Sequence, residues 1–274
     1  METYILYTIL LILGIVGTYS IIPLFKNLLV DSNVVRPNYK GDMIPVSMGI
    51  VFLPMVVINS AIIAVSTTNF ENLLYLFMYI FGMISMFFAG ILDDIVGNRD
   101  VSGLKGHFKS LLKGSLTTGG FKALFGGFIG IVISLGVSKS MGDLIINTLI
   151  IALSTNLMNL LDLRPGRAIK VYLIIMVSIF ITLTGFTKVL PLLILPNVLA
   201  YFGYDLKAKA MMGDTGSNVL GISIGILFVL GYSLKVRLLW LAFLIFIHIL
   251  TEKYSLTKII EKNKVLNFID KLGR

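Results

Sequence analysis

The sequence predicts an all-α polytopic membrane protein of about nine transmembrane helices, with the N-terminus outside and an amphipathic helix on the cytoplasmic side. Three observations predict it. The 274 residues are 57% hydrophobic and only 14% charged, whereas soluble domains carry about 25% charged residues. Mean hydropathy is +0.94. Apolar runs of nearly 20 residues recur along the chain, each long enough to cross a bilayer as a helix. The runs are continuous rather than alternating, which favours helices over a barrel.

The predicted spans are 4–25, 45–66, 73–92, 119–138, 141–160, 168–186, 188–204, 216–234 and 236–251. The first lacks the basic leader and short core of a signal peptide and reads as a retained helix. The seventh is interrupted by Pro191 and Pro196, which membrane helices tolerate where neighbours satisfy the freed carbonyls. With the N-terminus outside, 19 of the 23 Lys and Arg residues fall on inner segments, among them Arg99, Lys105, Lys109 and Lys113. Only Lys139, Lys188, Lys235 and Arg237 fall outside. That asymmetry sets the orientation. Residues 1–250 read as one transmembrane domain. Residues 251–274 alternate lysines with apolar residues and read as a cytoplasmic amphipathic helix on the membrane surface.

There is no cysteine, so disulfide and thiol chemistry are excluded. The histidines His107 and His248 are too few for a His-based zinc site. The net charge of +9 points to anionic lipid or an anionic substrate, not to nucleic acid.

Four polar segments fall on the predicted inner face. Residues 40–49 place Gly41, Pro45 and Gly49 before the second span, a tight entry into a helix or an ordinary loop. Gly90-Ile-Leu-Asp-Asp-Ile-Val-Gly97 ends the third. Adjacent helical residues point about 100° apart, so Asp93 and Asp94 cannot serve one atom. They either mark the water interface or divide a task between metal, lysine and substrate. Asn156, Asn159 and Asp162 follow at intervals of three and share one helical face. Such a stripe holds a polar ligand or ties helices together. Arg164 and Arg167 come next, suited to phosphate binding or to positive-inside anchoring. Met211-Met-Gly-Asp-Thr-Gly-Ser217 opens the eighth span. A helix N-terminus binds phosphate, and Asp214 there either caps the helix or holds Mg²⁺. Carboxylates for Mg²⁺ beside cations for phosphates, Lys122 included, are what phosphoryl transfer requires.

These segments, in this order from Lys40 to Gly221, resemble the polyprenyl-phosphate N-acetylhexosamine-1-phosphate transferases, glycosyltransferase family 4, which includes phospho-N-acetylmuramoyl-pentapeptide transferase. Pro45-Val-Ser-Met-Gly-Ile is similar to the family's Pro-Thr-Met-Gly-Gly-Ile, Leu92-Asp-Asp to its paired aspartates, and Asn156-Leu-Met-Asn-Leu-Leu-Asp162 to its Asn-Ala-Val-Asn-Leu-Thr-Asp. Met212-Gly-Asp-Thr-Gly-Ser217 matches its Met-Gly-Asp-Thr-Gly-Ser.

The resemblance implies transfer of a sugar-1-phosphate from a UDP-amino sugar to a polyprenyl phosphate, assisted by Mg²⁺, in bacterial cell-envelope synthesis. It implies that Asp214 ligates the metal and that Asp93, Asp94 and Asp162 are catalytic. Substrate binding falls to Lys122, Asn156, Asn159, Arg164, Arg167, Gly213, Gly216 and Ser217. The expected partners are the membrane, the lipid phosphate and the UDP-sugar, with a homodimer a further partner class and nucleic acid not expected. The sequence departs from the family pattern in places: Pro165 stands where a second aspartate is usual, Tyr204 where an asparagine is, Lys207-Ala replaces Pro-Ala, and the His-rich loop near the last spans and a tenth span are missing. A non-catalytic relative that binds a lipid phosphate or scaffolds a synthesis complex is the alternative. A transporter fits less well, because the charges sit at span ends rather than at mid-bilayer.

Overall fold

A computed structural model of the chain describes residues 2–97, 110, 114 and 117–274. The predicted inner cations Arg99, Lys105, Lys109 and Lys113 lie outside the described residues. The protein is helical, with one small hairpin. Helix α1 (Glu2–Asp31) leads to strands β1 (Val35–Pro37) and β2 (Met43–Pro45). A 3₁₀ turn, Met48–Val51, then opens α2 (Phe52–Val65). Helices α3 (Phe70–Val96), α4 (Thr118–Leu135), α5 (Met141–Leu161) and α6 (Arg167–Thr182) follow. Two 3₁₀ turns, Gly185–Lys188 and Leu190–Leu193, precede α7 (Leu195–Leu206). The chain continues through α8 (Gly213–Gly231), α9 (Leu234–Lys253), α10 (Leu256–Lys262) and α11 (Lys264–Lys271).

Among the described residues eight segments are long and apolar enough to cross a membrane, against about nine predicted. The difference is α6. Its 16 residues rise about 24 Å, short of the roughly 30 Å hydrocarbon core. Its ends are nevertheless level with those of its neighbours. At its start the Gly166 N–H donates to Asp205 at the end of α7. At its finish Thr182 meets Tyr232, just beyond α8. The two prolines of the seventh predicted span begin helical segments rather than kink one: Pro191 opens the second 3₁₀ turn and Pro196 opens α7. Proline is favoured there because its missing N–H would have no helical partner.

Helix α8 is the core of the bundle. Some 83% of its span is buried, and it packs against α3 and α5. Helix α9 is the opposite case, only 11% buried, with Leu239, Phe246 and Ile249 exposed, as a helix bathed in lipid requires. Helix α3 comes into close contact with α8 at Gly90. A Cβ there would lie 2.5 Å from the Asp214 carbonyl oxygen and from Thr215 Cα.

The hairpin fixes the same end of α8. Its strands are antiparallel, with Val35 opposite Pro45. The Pro45 carbonyl accepts from Met211 N at 2.8 Å, and Met48 N and Gly49 N donate to the carbonyls of Met211 and Met212. The residues beyond α9 differ from the single amphipathic helix expected from 251 onward. α9 runs to Lys253, and the rest breaks into α10 and α11 at Asn263, whose side chain caps α11. The packing at Gly90 predicts that Gly90→Val separates α3 from α8 and costs about 1–3 kcal/mol. A thermal melt in detergent should show a lowered Tm; an unchanged Tm would contradict the packing described.

Candidate active site

The site forms at one end of the bundle, where α3, α5, α7 and α8 finish or begin. It rests on the start of α8. The first N–H groups of any helix lack partners within it, and Met212 provides no side-chain cap. Asp94, at the end of α3, supplies the acceptors. Its Oδ1 accepts from Asp214 N at 3.0 Å. Its Oδ2 accepts from Thr215 N at 3.0 Å and from Thr215 Oγ1 at 2.7 Å. The carboxylate is buried and also complements the helix dipole. Arg36 of β1 donates from Nη2 to the Asp94 carbonyl at 2.7 Å, tying the hairpin to this corner.

Asp93 therefore points elsewhere. Its Oδ2 pairs with Lys122 Nζ at 3.0 Å. Lys122 also pairs with Asp214, so one ammonium bridges two carboxylates from different helices. Asn159 of α5 closes the group. With its amide oriented so that both ends are satisfied, Nδ2 donates to Asp214 Oδ1 at 2.8 Å and to Ser217 Oγ at 3.1 Å, while the oxygen accepts from Lys122 Nζ at 3.0 Å. Asp93, Lys122, Asn159, Asp214 and Ser217 thus form one continuous network.

Beside the network is a cavity of about 160 Å³. Asp94, Asp162, Arg164, Asp205 and Asp214 line it, with Tyr39 of the hairpin. Asp162 ends α5, and no hydrogen bond to its carboxylate is found among the described residues. Burial, then the negative charges of Asp205, Asp214 and Asp94, push its pKa well above the usual carboxylate range.

The predicted residues thus separate into groups. Asp93, Lys122, Asn159, Asp214 and Ser217 are brought together. Asp162 and Arg164 face the adjoining cavity. Asn156 lies one turn before Asn159, partly buried and outside the network. Asp94, predicted as catalytic, is committed to the start of α8. Gly213 and Gly216, predicted to bind substrate, are required by packing. Gly213 has φ +72°, and a Cβ on it would strike the Asp94 carboxylate at 2.4 Å. A Cβ on Gly216 would meet Met212 and lie 3.0 Å from Gly49 Cα. Arg167 is a correction. It is buried against α11, with its guanidinium engaged by Asp270 and Thr257, because the helix it opens turns that side chain away from the cavity.

Arg36 and Asp205 are absent from the sequence candidates. Arg36 read only as an inner positive charge. Asp205 accepts from Gly166 N at 2.7 Å and from the main chain of Met212, joining the 162–167 loop to the approach to α8. Its signal was present, since a carboxylate at the end of an apolar span is costly unless it has work to do.

The raised pKa of Asp162 carries a sign. Its folded pKa lies above the ordinary value of 3.8, so the folded state binds more protons above that pH. Stability is lost as pH rises through the window between the two values. Asp162→Asn, which cannot ionise, should therefore melt above the wild type at pH 7, and the gap should close below about pH 4. Superimposable melting curves across this range would contradict the assignment.

Residues 76–232, more than half of the chain, match the family model described as glycosyl transferase family 4. Phospho-N-acetylmuramoyl-pentapeptide-transferase of Thermotoga neapolitana is 31% identical over 156 residues, 54% of this chain and 51% of that protein. The protein of the same name from Thermotoga maritima is 34% identical over 165 residues, 56% of this chain and 52% of that protein. The chain spans about half the length of the curated relatives it matches. The matched residues contain α8, most of α3 and every member of the network from Asp93 to Ser217, and the chain belongs to glycosyl transferase family 4.

Proposed function

We propose that the chain transfers a sugar-1-phosphate from a UDP-amino sugar to a membrane polyprenyl phosphate, for cell-envelope polymer synthesis. The observation that carries this reading is the Lys122 bridge between Asp93 and Asp214, set beside a carboxylate-lined cavity at the end of the bundle. A phosphate oxygen of the lipid attacks the β-phosphorus of the donor. The bond from that phosphorus to the bridging oxygen breaks, and UMP leaves with the electron pair. Negative charge builds on the phosphoryl oxygens, where a fixed cation acts most strongly. Lys122 is that cation, and Asp93, Asp214 and Asn159 hold it in place. The second pKa of a phosphate monoester is near 6, so the attacking phosphate is mostly deprotonated at neutral pH. Asp93 then acts by orienting Lys122 rather than as a required base.

The donor set fits Mg²⁺. No group of three His, Asp or Glu among the described residues is arranged to hold a metal, but Mg²⁺ commonly takes one or two carboxylates and completes its shell with phosphates and water. Asp162 and Asp214 face the same cavity, and Asp162 sits among carboxylates whose repulsion a divalent cation relieves. These two residues would hold it, and it would supply charge neutralisation of the donor diphosphate. Arg164, exposed at the rim, is placed for the outer phosphate.

One observation favours the alternative of a non-catalytic lipid-phosphate binder. Pro165 occupies a position where the family pattern carries an aspartate, so the cavity has one carboxylate fewer. Release of UMP from a panel of UDP-amino sugars, with undecaprenyl phosphate and Mg²⁺, separates the two. We expect turnover that falls at least about 100-fold in Asp214→Asn, in keeping with loss of a key electrostatic group. No turnover across the panel, with lipid-phosphate binding intact, would favour the binder.

We also propose that the site faces the cytoplasm, on the distribution of Lys and Arg. The chain has no cysteine, so single cysteines report directly. Leu163 is 64% exposed beside the cavity, and Val65 is 88% exposed at the end of α2. Leu163→Cys should resist a membrane-impermeant maleimide in intact cells, and Val65→Cys should react. The reverse pattern would invert the topology.

A further inference from the structure

Helix α6 begins under an electrostatic handicap. Arg167 and Lys170 occupy its first turn, where the helix dipole favours negative charge. Its N-cap, Gly166, has no side chain, and the first turn contains no acidic residue. The compensating charge comes from 103 residues further along the chain. Asp270 of α11 takes the Arg167 guanidinium in a two-point pair, Nε to Oδ1 at 2.7 Å and Nη2 to Oδ2 at 3.0 Å. The third guanidinium nitrogen, Nη1, donates to Thr257 at 2.9 Å. Both members of the pair are almost fully buried, at 3% and 7% side-chain exposure. Lys170 Nζ donates to the carbonyls of Ile269 and Asp270 at 2.9 Å. Arg274 donates to Asp270 at 2.9 Å and to the Pro165 carbonyl at 2.7 Å.

These contacts seat the segment across the 162–167 loop and the end of α7, where Gly273 lies against Leu206. A helix that only floated on a membrane surface would turn its carboxylate to water. Here Asp270 faces inward, while Val265, Phe268 and Leu272 are left exposed on the far side. Asp162 and Arg164, at the cavity, lie within five residues of Arg167 along the clamped loop. The Asp205 contact to Gly166 N is the second fastening of the same loop.

We propose that α10 and α11 form a clasp and that Asp270 is a positioning residue: through Arg167 it sets where Asp162 and Arg164 stand in the cavity. Its catalytic consequence rests on the functional reading above; its structural consequence does not. Outer partners that orient metal-binding carboxylates typically contribute 10–100-fold to metal affinity. Asp270 reaches Asp162 through the loop rather than by contact, so the low end of that range applies.

The test uses the full chain, with Asp270→Asn and Asp270→Glu, and two readouts. Hydrogen exchange at the amides of residues 163–168 should rise at least about tenfold in Asp270→Asn, with α8 unaffected, since the buried pair is broken. The Mg²⁺ concentration for half-maximal UMP release should rise about tenfold. Asp270→Glu should restore most of both. Unchanged loop exchange in Asp270→Asn overturns the proposal, whether or not the protein turns over substrate. Faster exchange with unchanged Mg²⁺ dependence in an active protein makes the contact merely structural and also overturns it. If the wild type releases no UMP, the functional reading fails and the exchange measurement alone decides the clasp. Should Asp270→Asn not fold, Arg274→Ala removes only the outer contacts and should raise loop exchange by a smaller factor; no rise there overturns the clasp.

Discussion

The capping of α8 by Asp94 is the constraint on which the rest of this site depends. A helix that starts inside a bundle, at the edge of a bilayer, cannot leave its first N–H groups to water. The chain meets this need with a carboxylate from another helix, which accepts two main-chain N–H groups and the Thr215 hydroxyl at once. Three conditions follow. Gly90 must be small enough for α3 to come within reach. Gly213 must accept a left-handed backbone so that the first peptides point at Asp94. Asp93, one residue earlier, must turn about 100° away, and that turn delivers it to Lys122.

Charge distribution at this end of the bundle is uneven in a useful way. Asp93 and Asp214 share Lys122, whereas the charges acting on Asp162 among the described residues are those of Asp205, Asp214 and Asp94. One side of the site is neutralised in advance, and negative charge gathers on the other. Phosphoryl transfer brings highly charged groups together and offers little covalent work to the protein, so placing charge before the substrate arrives is most of what catalysis can consist of.

Much of this was legible in the sequence, because it was written in composition and in local spacing. Apolar runs mark the spans, and polar residues cluster at span ends since they are costly anywhere else. The spacing of Asn156, Asn159 and Asp162 placed them on one face, although only the last two reach the network or the cavity. What stayed hidden depended on partners distant in the chain. Arg167 looked like a phosphate ligand because its neighbours are site residues, and nothing local indicates that it turns toward Asp270. Asp270 in turn looked like one more polar position on an amphipathic helix. The glycines of 213–216 were read as a phosphate cradle, the commonest use of such a stretch. Here the same small residues also admit Asp94 and Gly49.

The hairpin between α1 and α2 has a consequence for how the protein is made. Pro45, Met48 and Gly49 bond to Met211 and Met212, and Asn38 reaches the Ala208 carbonyl across 170 positions. While the nascent chain is still emerging, the first three helices can enter the membrane, but their hairpin has nothing to pair with until the eighth arrives. Until then Asp94 stands at the membrane edge without the peptides it finally serves, and Lys122 has Asp93 but not Asp214. These contacts of the hairpin therefore wait for residues 208–212. A ribosome that stops before residue 208 leaves a chain threaded through the bilayer with Asp94 still uncommitted, a state that a membrane quality-control protease can distinguish from the finished protein.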